Sequence, residues 1–232
     1  MNEVNKLYIT ATPIGNLEDI TLRALRILKE VDFILCEDTR VTKKLLNKYD
    51  IKTPTISYHQ HSSEAKISEV IALLKEGKNL SLVTDAGTPG ISDPGNELIE
   101  KVFKELGSDV DIVVVPGPSA VSAAASISGM PMSEFLFLGY PPKKKKRKKF
   151  FEKVVKSEAP IILYESTHRI LKTLEELKEM FHVSGFMFQV MVARELTKKF
   201  ESTYRGNIDE VINKLKDDKV KGEFVIIIRK LG

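Results

Sequence analysis

The chain has 232 residues, of which 42% are hydrophobic and 29% are charged, as in a globular protein of one or two domains. Its net charge of +4 is too small to indicate a polyanionic partner by itself. No apolar run is long enough to cross a membrane, and a predicted strand begins almost at once, so we expect a cytoplasmic protein without a signal peptide. The single cysteine, Cys36, excludes an internal disulfide and a cysteine-rich metal site, and its apolar neighbours predict a core position.

The first half of the chain alternates short apolar runs with amphipathic segments. Strands are predicted over residues 7–12, 33–36, 55–58, 80–84 and 111–115, and helices over 21–30, 42–49, 63–75, 97–106 and 119–128. Asp19 is the expected cap of the first helix. Strands that alternate with helices at this spacing predict a parallel sheet with right-handed crossovers.

The second half follows a turn at residues 128–131 and joins its strands more directly. Strands are predicted over residues 135–138, 161–164, 186–193, 200–204 and 224–228, with helices over 168–180 and 208–215. These connections predict a mixed sheet. We therefore expect an α/β protein of two domains, residues 1–130 and 131–232.

A loop rich in glycine and proline, residues 84–95, follows one of the predicted strands. It contains three glycines and two prolines between the strand and the next helix. Such a loop brings backbone close to a ligand, and open α/β sheets bind ligands at the carboxyl ends of their strands. The alternative is a tight connection without a ligand. The chain contains neither a P-loop nor a dinucleotide fingerprint after its first strand, so a phosphate-bearing nucleotide is not indicated.

Five segments together resemble the tetrapyrrole methylase superfamily and, within it, the branch that methylates ribosomal RNA. They are residues 11–17, 37–40, 85–95, 116–120 and 194–198. The resemblance covers nearly the whole chain. It implies two α/β domains with S-adenosylmethionine in the cleft between them, a homodimer, and methylation of a cytidine 2′-hydroxyl in the decoding region of 16S rRNA, in free rRNA or in the small ribosomal subunit.

The same resemblance assigns residues to the cofactor. These residues, which follow predicted strand ends, are Pro13, Gly87, Thr88, Ile91, Ser119, Ala120 and Glu165. Strand ends of one parallel sheet meet at one edge, so we expect the loops of the first domain to converge. Ordinary turn chemistry is the alternative for the prolines.

A ribose hydroxyl is a poor nucleophile, so methyl transfer to it needs a base or an orienting charge. The candidate catalytic side chains, between which the sequence does not decide, are Glu37, Asp38, Arg40, Glu165, His168 and Glu195. The family usually has proline where this chain has Thr167, a change that removes no titratable group. No metal is expected, because no cluster of ligating side chains has metal-binding spacing.

Residues 143–149 are seven consecutive positive charges with no acidic neighbour until Glu152. Such a run is either simply solvated or contacts phosphates, in which case binding is salt-sensitive. The residues predicted to contact RNA are Arg40, Lys143, Lys144, Lys145, Lys146, Arg147, Arg169, Arg194 and Lys198. Two alternatives stay open: a sister enzyme that methylates a tetrapyrrole or a protein side chain, and a non-catalytic RNA-binding assembly factor.

Overall fold

A computed structural model describes residues 4–59, 62–218 and 220–231. The chain divides into two compact units between Ser119 and Ala120. The sequence placed the boundary at residue 130. The difference is the small-residue helix after the last strand of the first sheet, which contacts the final strand of the chain and so belongs to the second unit.

Unit 1 is a parallel sheet with helices on both faces. Its strands are β1 (Asn5–Thr10), β2 (Phe33–Cys36), β3 (Thr55–Ser57), β4 (Leu80–Leu82) and β5 (Val110–Val115), and its helices are α1 (Leu22–Glu30), α2 (Thr39–Lys48), α3 (Glu64–Lys75) and α4 (Asn96–Leu106). The strand order is β3-β2-β4-β1-β5, and every pairing is parallel. The predicted parallel sheet is therefore confirmed.

Side chains that alternate along β2 divide the core of unit 1 in two. Ile34 and Cys36 pack in one cluster with α1 and α2, whereas Leu35 packs in the other with α3 and α4. Because successive strand residues point to opposite faces, a strand that is covered on both sides has a continuously apolar sequence. Cys36 is a buried core residue, as its neighbours predicted.

Capping residues set where two helices of unit 1 begin. Thr21 caps α1 by accepting a hydrogen bond from the Ala24 N–H at 3.1 Å, so the expected cap at Asp19 is wrong. Asp19 instead ends a short 3₁₀ turn. Asp38 caps α2 by accepting the Arg40 N–H at 2.8 Å, which starts that helix three residues before the predicted position.

Unit 2 contains the mixed sheet. Its elements are α5 (Ala120–Ser126), β6 (Leu136–Phe137), α6 (Arg147–Lys156), β7 (Ile161–Ser166), α7 (Ile170–Ser184), β8 (Met187–Arg194), β9 (Ser202–Gly206), α8 (Ile208–Lys216) and β10 (Glu223–Leu231). The strand order is β6-β7-β10-β8-β9. Only β6 and β7 run parallel, while β10 is antiparallel to β7 and β8, and β8 is antiparallel to β9. The predicted mixed sheet is confirmed.

Helix α6 was not predicted, because its sequence begins inside the basic run. Its apolar residues Phe151, Val154 and Val155 are buried in one cluster with side chains of α7 and α8. Their spacing of three and four residues is that of one helix face. The basic run is thus part loop and part helix.

The part of the chain that the structure describes holds no helix long and apolar enough to cross a membrane. Within the same residues, no group of three or more His, Cys, Asp or Glu side chains is placed to hold a metal ion.

Candidate active site

Backbone hydrogen bonds tie the loops that follow β1, β4 and β5. Thr12 and Gly87 exchange two of them: the Thr12 N–H donates to the Gly87 carbonyl at 2.9 Å, and the Gly87 N–H donates to the Thr12 carbonyl at 3.1 Å. The Thr88 hydroxyl donates to the Pro118 carbonyl at 3.1 Å. Loops from three strands therefore converge at the carboxyl edge of the unit 1 sheet, where open α/β sheets bind ligands.

Gly87 occupies a position that only glycine suits. Its φ of +87° lies in the left-handed region, and an added Cβ would stand 3.4 Å from Ile14 Cγ2 and 3.8 Å from the Pro118 carbonyl oxygen. At the first position of this loop, the buried hydroxyl of Thr84 has no hydrogen-bond partner among the described residues. The polar groups of the loop backbone, a glycine that lets a ligand come close to that backbone, and a buried hydroxyl without a partner fit the amino, carboxylate and nucleoside groups of S-adenosylmethionine.

The structure places the predicted cofactor residues at different depths. Pro13 and Gly87 are buried, and Thr88 is half-buried within the tied loops. Ile91 is 45% exposed near the tip of its loop. Ser119 follows Pro118 directly and is half-buried, as is Ala120 at the start of α5. Glu165 lies in the sheet of unit 2.

An acidic group follows β2 and β4 in unit 1. The Asp38 N–H donates to Asp85 Oδ1 at 3.1 Å, which joins the two strand ends. Arg40 pairs with Asp38 at 2.6 Å, and its hydrogen bonds lower the pKa of that carboxyl to about 2. Burial, followed by repulsion from Asp85, raises the pKa of Glu37. Desolvation likewise raises the pKa of Asp85, a residue that sequence reasoning did not select although it is the second residue of the glycine loop.

Glu37 differs from its acidic neighbours in its bonding. Its carboxylate accepts no hydrogen bond that the structure shows among the described residues, and it is half-buried. A half-buried carboxylate with a raised pKa has the properties of a proton acceptor. Asp38 lacks them, because Arg40 and the helix amides hold its charge.

The carboxylate of Glu195 serves the backbone of unit 2. Its Oε1 accepts the Glu223 N–H at 2.9 Å and pairs with Lys198 at 3.0 Å. Burial alone would raise the pKa of Glu195, but these partners outweigh it and the pKa is lowered. Lys198 also pairs with Glu223 at 2.7 Å. These contacts hold the end of β8 against β10 and leave Lys198 little freedom to contact RNA.

Arg194 is also structural in its geometry. It is 7% exposed, its Nε donates to the Lys221 carbonyl at 2.7 Å, and a terminal nitrogen pairs with Asp218 at 3.0 Å. A buried arginine with these bonds is unsuited to phosphate contact. Its bonds hold the end of β8 against the chain segment before β10 instead.

Glu165 is buried, with 1% of its surface exposed, and both of its oxygens are engaged. Oε1 accepts the Ser166 N–H at 2.8 Å and pairs with Arg169 at 2.8 Å, while Oε2 accepts the Thr173 hydroxyl at 2.6 Å. Such a carboxylate is poorly placed to take a proton from a bound hydroxyl. His168, by contrast, lies exposed in the turn between β7 and α7.

The basic run separates into exposed and buried members. Lys143, Lys144, Lys145 and Lys146 are exposed in the loop before α6, and Lys146 adopts a left-handed φ of +67°. Arg147 is only 9% exposed, and its guanidinium donates to neighbouring oxygens from all three nitrogens. The prediction that Arg147 contacts RNA is therefore not supported by its geometry.

Glycine loops on a doubly covered parallel sheet, joined to a mixed-sheet unit, define an α/β methyltransferase class that uses S-adenosylmethionine. The chain belongs to the Tetrapyrrole (Corrin/Porphyrin) Methylases, whose family model matches residues 6–212. The predicted family, fold class and cofactor are confirmed.

Curated relatives match over nearly the full chain. A protein of Thermotoga maritima named Ribosomal RNA small subunit methyltransferase I is 45% identical over 225 residues, which cover 97% of this chain and 98% of that protein. A Bacillus subtilis protein of the same name is 44% identical over 228 residues, covering 98% of this chain and 76% of that protein.

Solved structures share the fold at low sequence identity. The cobalt precorrin-4 methyltransferase of cobalamin biosynthesis superposes with a TM-score of 0.64 at 20% identity, covering 97% of this chain and 94% of that one. The uroporphyrin-III-C-methyltransferase from Thermus thermophilus gives 0.62 at 18% identity, covering 96% and 94%. These likenesses concern the fold alone.

Proposed function

We propose that this protein transfers a methyl group from S-adenosylmethionine to the ribose 2′-hydroxyl of a cytidine in the decoding region of 16S rRNA. The names of the curated relatives support small-subunit ribosomal RNA as the acceptor, at 41–46% identity across 96–98% of the chain. The cytidine and the 2′-oxygen are what the family resemblance of the five sequence segments implies.

The observation that carries the proposal is the convergence of the three loops through the Thr12–Gly87 and Thr88–Pro118 hydrogen bonds. These bonds fix backbone donors and acceptors without any phosphate-binding motif. Pro13, Gly87, Thr88 and Ser119 would hold S-adenosylmethionine there. When bound, this cofactor supplies an electrophilic methyl group on a positively charged sulfur.

Glu37 is our candidate for the general base. The 2′-hydroxyl loses its proton as its oxygen forms the new bond to carbon, and a carboxylate with a raised pKa accepts that proton more readily than an ordinary one. Asp38 is bound to Arg40, Glu195 to Lys198, and Glu165 is buried. Asp85 would act on Glu37 through its charge.

RNA contact is proposed for the exposed cations. Lys143, Lys144, Lys145 and Lys146 form an exposed lysine segment, and the Arg40 side chain is 87% exposed beside Asp38. Contacts from these side chains to phosphates position RNA without reading its bases. We further propose that the protein acts as a homodimer in the cytoplasm, where bacterial ribosomal subunits are assembled.

The proposal is tested by offering three acceptor classes in parallel with labelled S-adenosylmethionine. These are small ribosomal subunits lacking the modification, a uroporphyrinogen-type tetrapyrrole, and a mixture of unmodified ribosomal proteins. We expect label in 16S rRNA alone. Label in the tetrapyrrole or the proteins would identify a sister enzyme. Cofactor binding without transfer to any of them would contradict the assigned acceptor, and absence of binding would favour the assembly-factor alternative.

A further inference from the structure

A buried arginine, Arg147, and a half-buried one, Arg169, hold the carbonyls that lead into the exposed lysine segment. Arg169 donates to the Pro141 carbonyl at 2.9 Å, and Arg147 donates to the Pro142 carbonyl at 2.9 Å. Two residues before Pro141, the Gly139 carbonyl accepts a hydrogen bond from the Tyr164 N–H at 3.0 Å. Hydrogen bonds from β7, from the turn before α7 and from the first residue of α6 therefore hold the backbone just before the lysines at three points.

The two arginines are connected through the buried hydroxyl of Thr173 and the buried carboxylate of Glu165. Thr173 is fully buried, donates to Glu165 Oε2 at 2.6 Å and accepts from Arg147 at 2.7 Å. Glu165 in turn pairs through Oε1 with Arg169 at 2.8 Å. The chain of contacts thus runs from Arg147 through Thr173 and Glu165 to Arg169.

Further contacts lock the Arg147 end of this chain. Its Nε pairs with Glu176 at 2.6 Å, and its guanidinium carbon stands 4.8 Å from the centre of the Phe151 ring. The Arg147 N–H also reaches the Lys144 carbonyl at 3.3 Å, inside the lysine segment itself. A lysine could not replace Arg147, because a single ammonium lacks the planar fork that reaches three acceptors.

We propose that Glu165, Thr173, Arg147 and Arg169 form a positioning relay that holds the exposed lysine segment in one conformation for contact with RNA phosphates. The relay rests on the proposed function for its RNA partner. Four adjacent lysines repel one another and lose side-chain and backbone freedom when they bind. A backbone held in place before binding reduces that ordering cost and raises affinity. Glu165 is then a positioning residue, which explains why its carboxylate is buried.

Thr173→Val tests the relay with little change in shape, because it removes the shared hydroxyl and keeps the branched side chain. The matched control is Thr167→Val, which removes a half-buried hydroxyl of the same unit that bonds to Gly222 at 2.6 Å and not to the relay. Two readouts are compared in the full-length protein: the rate of tryptic cleavage at residues 143–146, and the affinity for small ribosomal subunits.

We expect Thr173→Val to raise the cleavage rate about tenfold and to weaken subunit binding about fivefold, because it removes both hydrogen bonds of the shared hydroxyl. Affinity for S-adenosylmethionine and the turnover rate at saturating subunit should stay unchanged. Thr167→Val should match the wild type in both readouts. Thr173→Ser, which restores the hydroxyl, should recover both.

Unchanged cleavage and binding in folded Thr173→Val would overturn the relay. Faster cleavage with unchanged subunit affinity would overturn its role toward RNA. If Thr173→Val does not fold, Arg169→Gln removes both the donor to the Pro141 carbonyl and the ion pair with Glu165. An unchanged cleavage rate in that variant would overturn the relay. Cleavage does not depend on RNA, so a wild-type protein that fails to methylate subunits would contradict the proposed function without deciding the relay.

Discussion

Thr12 and Gly87, which lie in loops 75 positions apart in the sequence, are joined by a reciprocal pair of backbone hydrogen bonds of 2.9 and 3.1 Å. The pair brings the loop after β1 against the loop after β4. Because glycine lacks a Cβ, this contact leaves open backbone beside Ile14 and Pro118. The proposed cofactor site depends on this relationship.

Gly87→Val should abolish binding of S-adenosylmethionine while leaving the fold intact. The new side chain would fill the space beside Ile14 Cγ2, and valine at a φ of +87° is strained by about 1–3 kcal/mol. Gly107→Val is the matched control, since Gly107 has a φ of +50° with nothing within 4 Å of its added Cβ. Calorimetry should show binding by the control only. Full affinity for S-adenosylmethionine in Gly87→Val would contradict the assignment of this loop to the cofactor site.

Changing Lys143, Lys144, Lys145 and Lys146 together to glutamine should weaken RNA binding and flatten its salt dependence. If each lysine contacts one phosphate, the slope of log affinity against log salt should fall by about 3. A control with the same charge replaces the exposed lysines in the last turns of α1, α2, α3 and α6, namely Lys29, Lys48, Lys75 and Lys156. Equal slopes for the two variants would mean that the segment is merely solvated.

Glu37→Gln should lower the turnover rate by about 10²–10⁴ with unchanged cofactor affinity, because it removes only a proton acceptor. Glu18→Gln, at an exposed position of the same unit, serves as the control. Single-turnover methylation of small subunits measures the effect. A Glu37→Gln enzyme with wild-type turnover would exclude Glu37 as the base.

The rate of the wild-type enzyme should fall on the acid side as pH decreases through the raised pKa of Glu37, because only the carboxylate accepts a proton. Burial and the charge of Asp85 raise that pKa above its ordinary value of 4.5. Asp85→Asn removes the repulsion, so the acid limb of its pH–rate profile should move to lower pH. An unshifted limb in a folded Asp85→Asn protein would show that another group controls the rate.

Arg40→Gln should return the pKa of Asp38 from about 2 toward its ordinary 3.8, which carbon-13 NMR of the carboxyl group can follow. A carboxyl whose pKa is lowered by folding stabilises the native state above its ordinary pKa, and that contribution disappears as pH falls through the folded value. The contribution of the pair is therefore complete above about pH 4 and is lost between about pH 4 and pH 2, so the variant should lose less stability across that interval. An unchanged Asp38 pKa would mean that the backbone amides alone hold its charge.

Arg194→Gln should lower the free energy of unfolding by about 1–2 kcal/mol and leave the salt dependence of RNA binding unchanged. The substitution removes the guanidinium from Asp218 and from the Lys221 carbonyl in a buried setting. Lys199→Gln, at an exposed position of the same unit, serves as the control. Denaturant unfolding gives the first quantity and salt titration the second. A reduced salt slope with full stability would return Arg194 to the RNA surface.

The fold could be predicted from sequence because the apolar periodicity of its strands and helices is clear and turn residues separate them. The alternation of apolar runs with helices in unit 1 indicated a parallel sheet, and the apolar runs of β8 and β10 indicated buried strands. Helix α6 was not predicted because its first residues, Arg147 and two lysines, continue the basic run. The buried residues of its apolar face begin at Phe151. A period of three to four residues at Phe151, Val154 and Val155 was the signal that could have found it.

The candidate site could be predicted only in part, because sequence shows residue types and not their partners. Glu165 and Glu37 both follow apolar strand residues and looked equivalent. Only the structure shows that Thr173 and Arg169 occupy the oxygens of Glu165, while Glu37 stays open beside Asp85. Arg147 likewise looked like one more cation of a charged run until its burial became visible.

The central claim is tested most directly by digesting 16S rRNA to nucleosides after labelled methyl transfer to small subunits that lack the modification. The account predicts one labelled product, 2′-O-methylcytidine, from a fragment of the decoding region. Label on a base, on another nucleoside, or outside that region would contradict the proposed specificity, and unlabelled rRNA from a protein that binds S-adenosylmethionine would contradict the proposed acceptor.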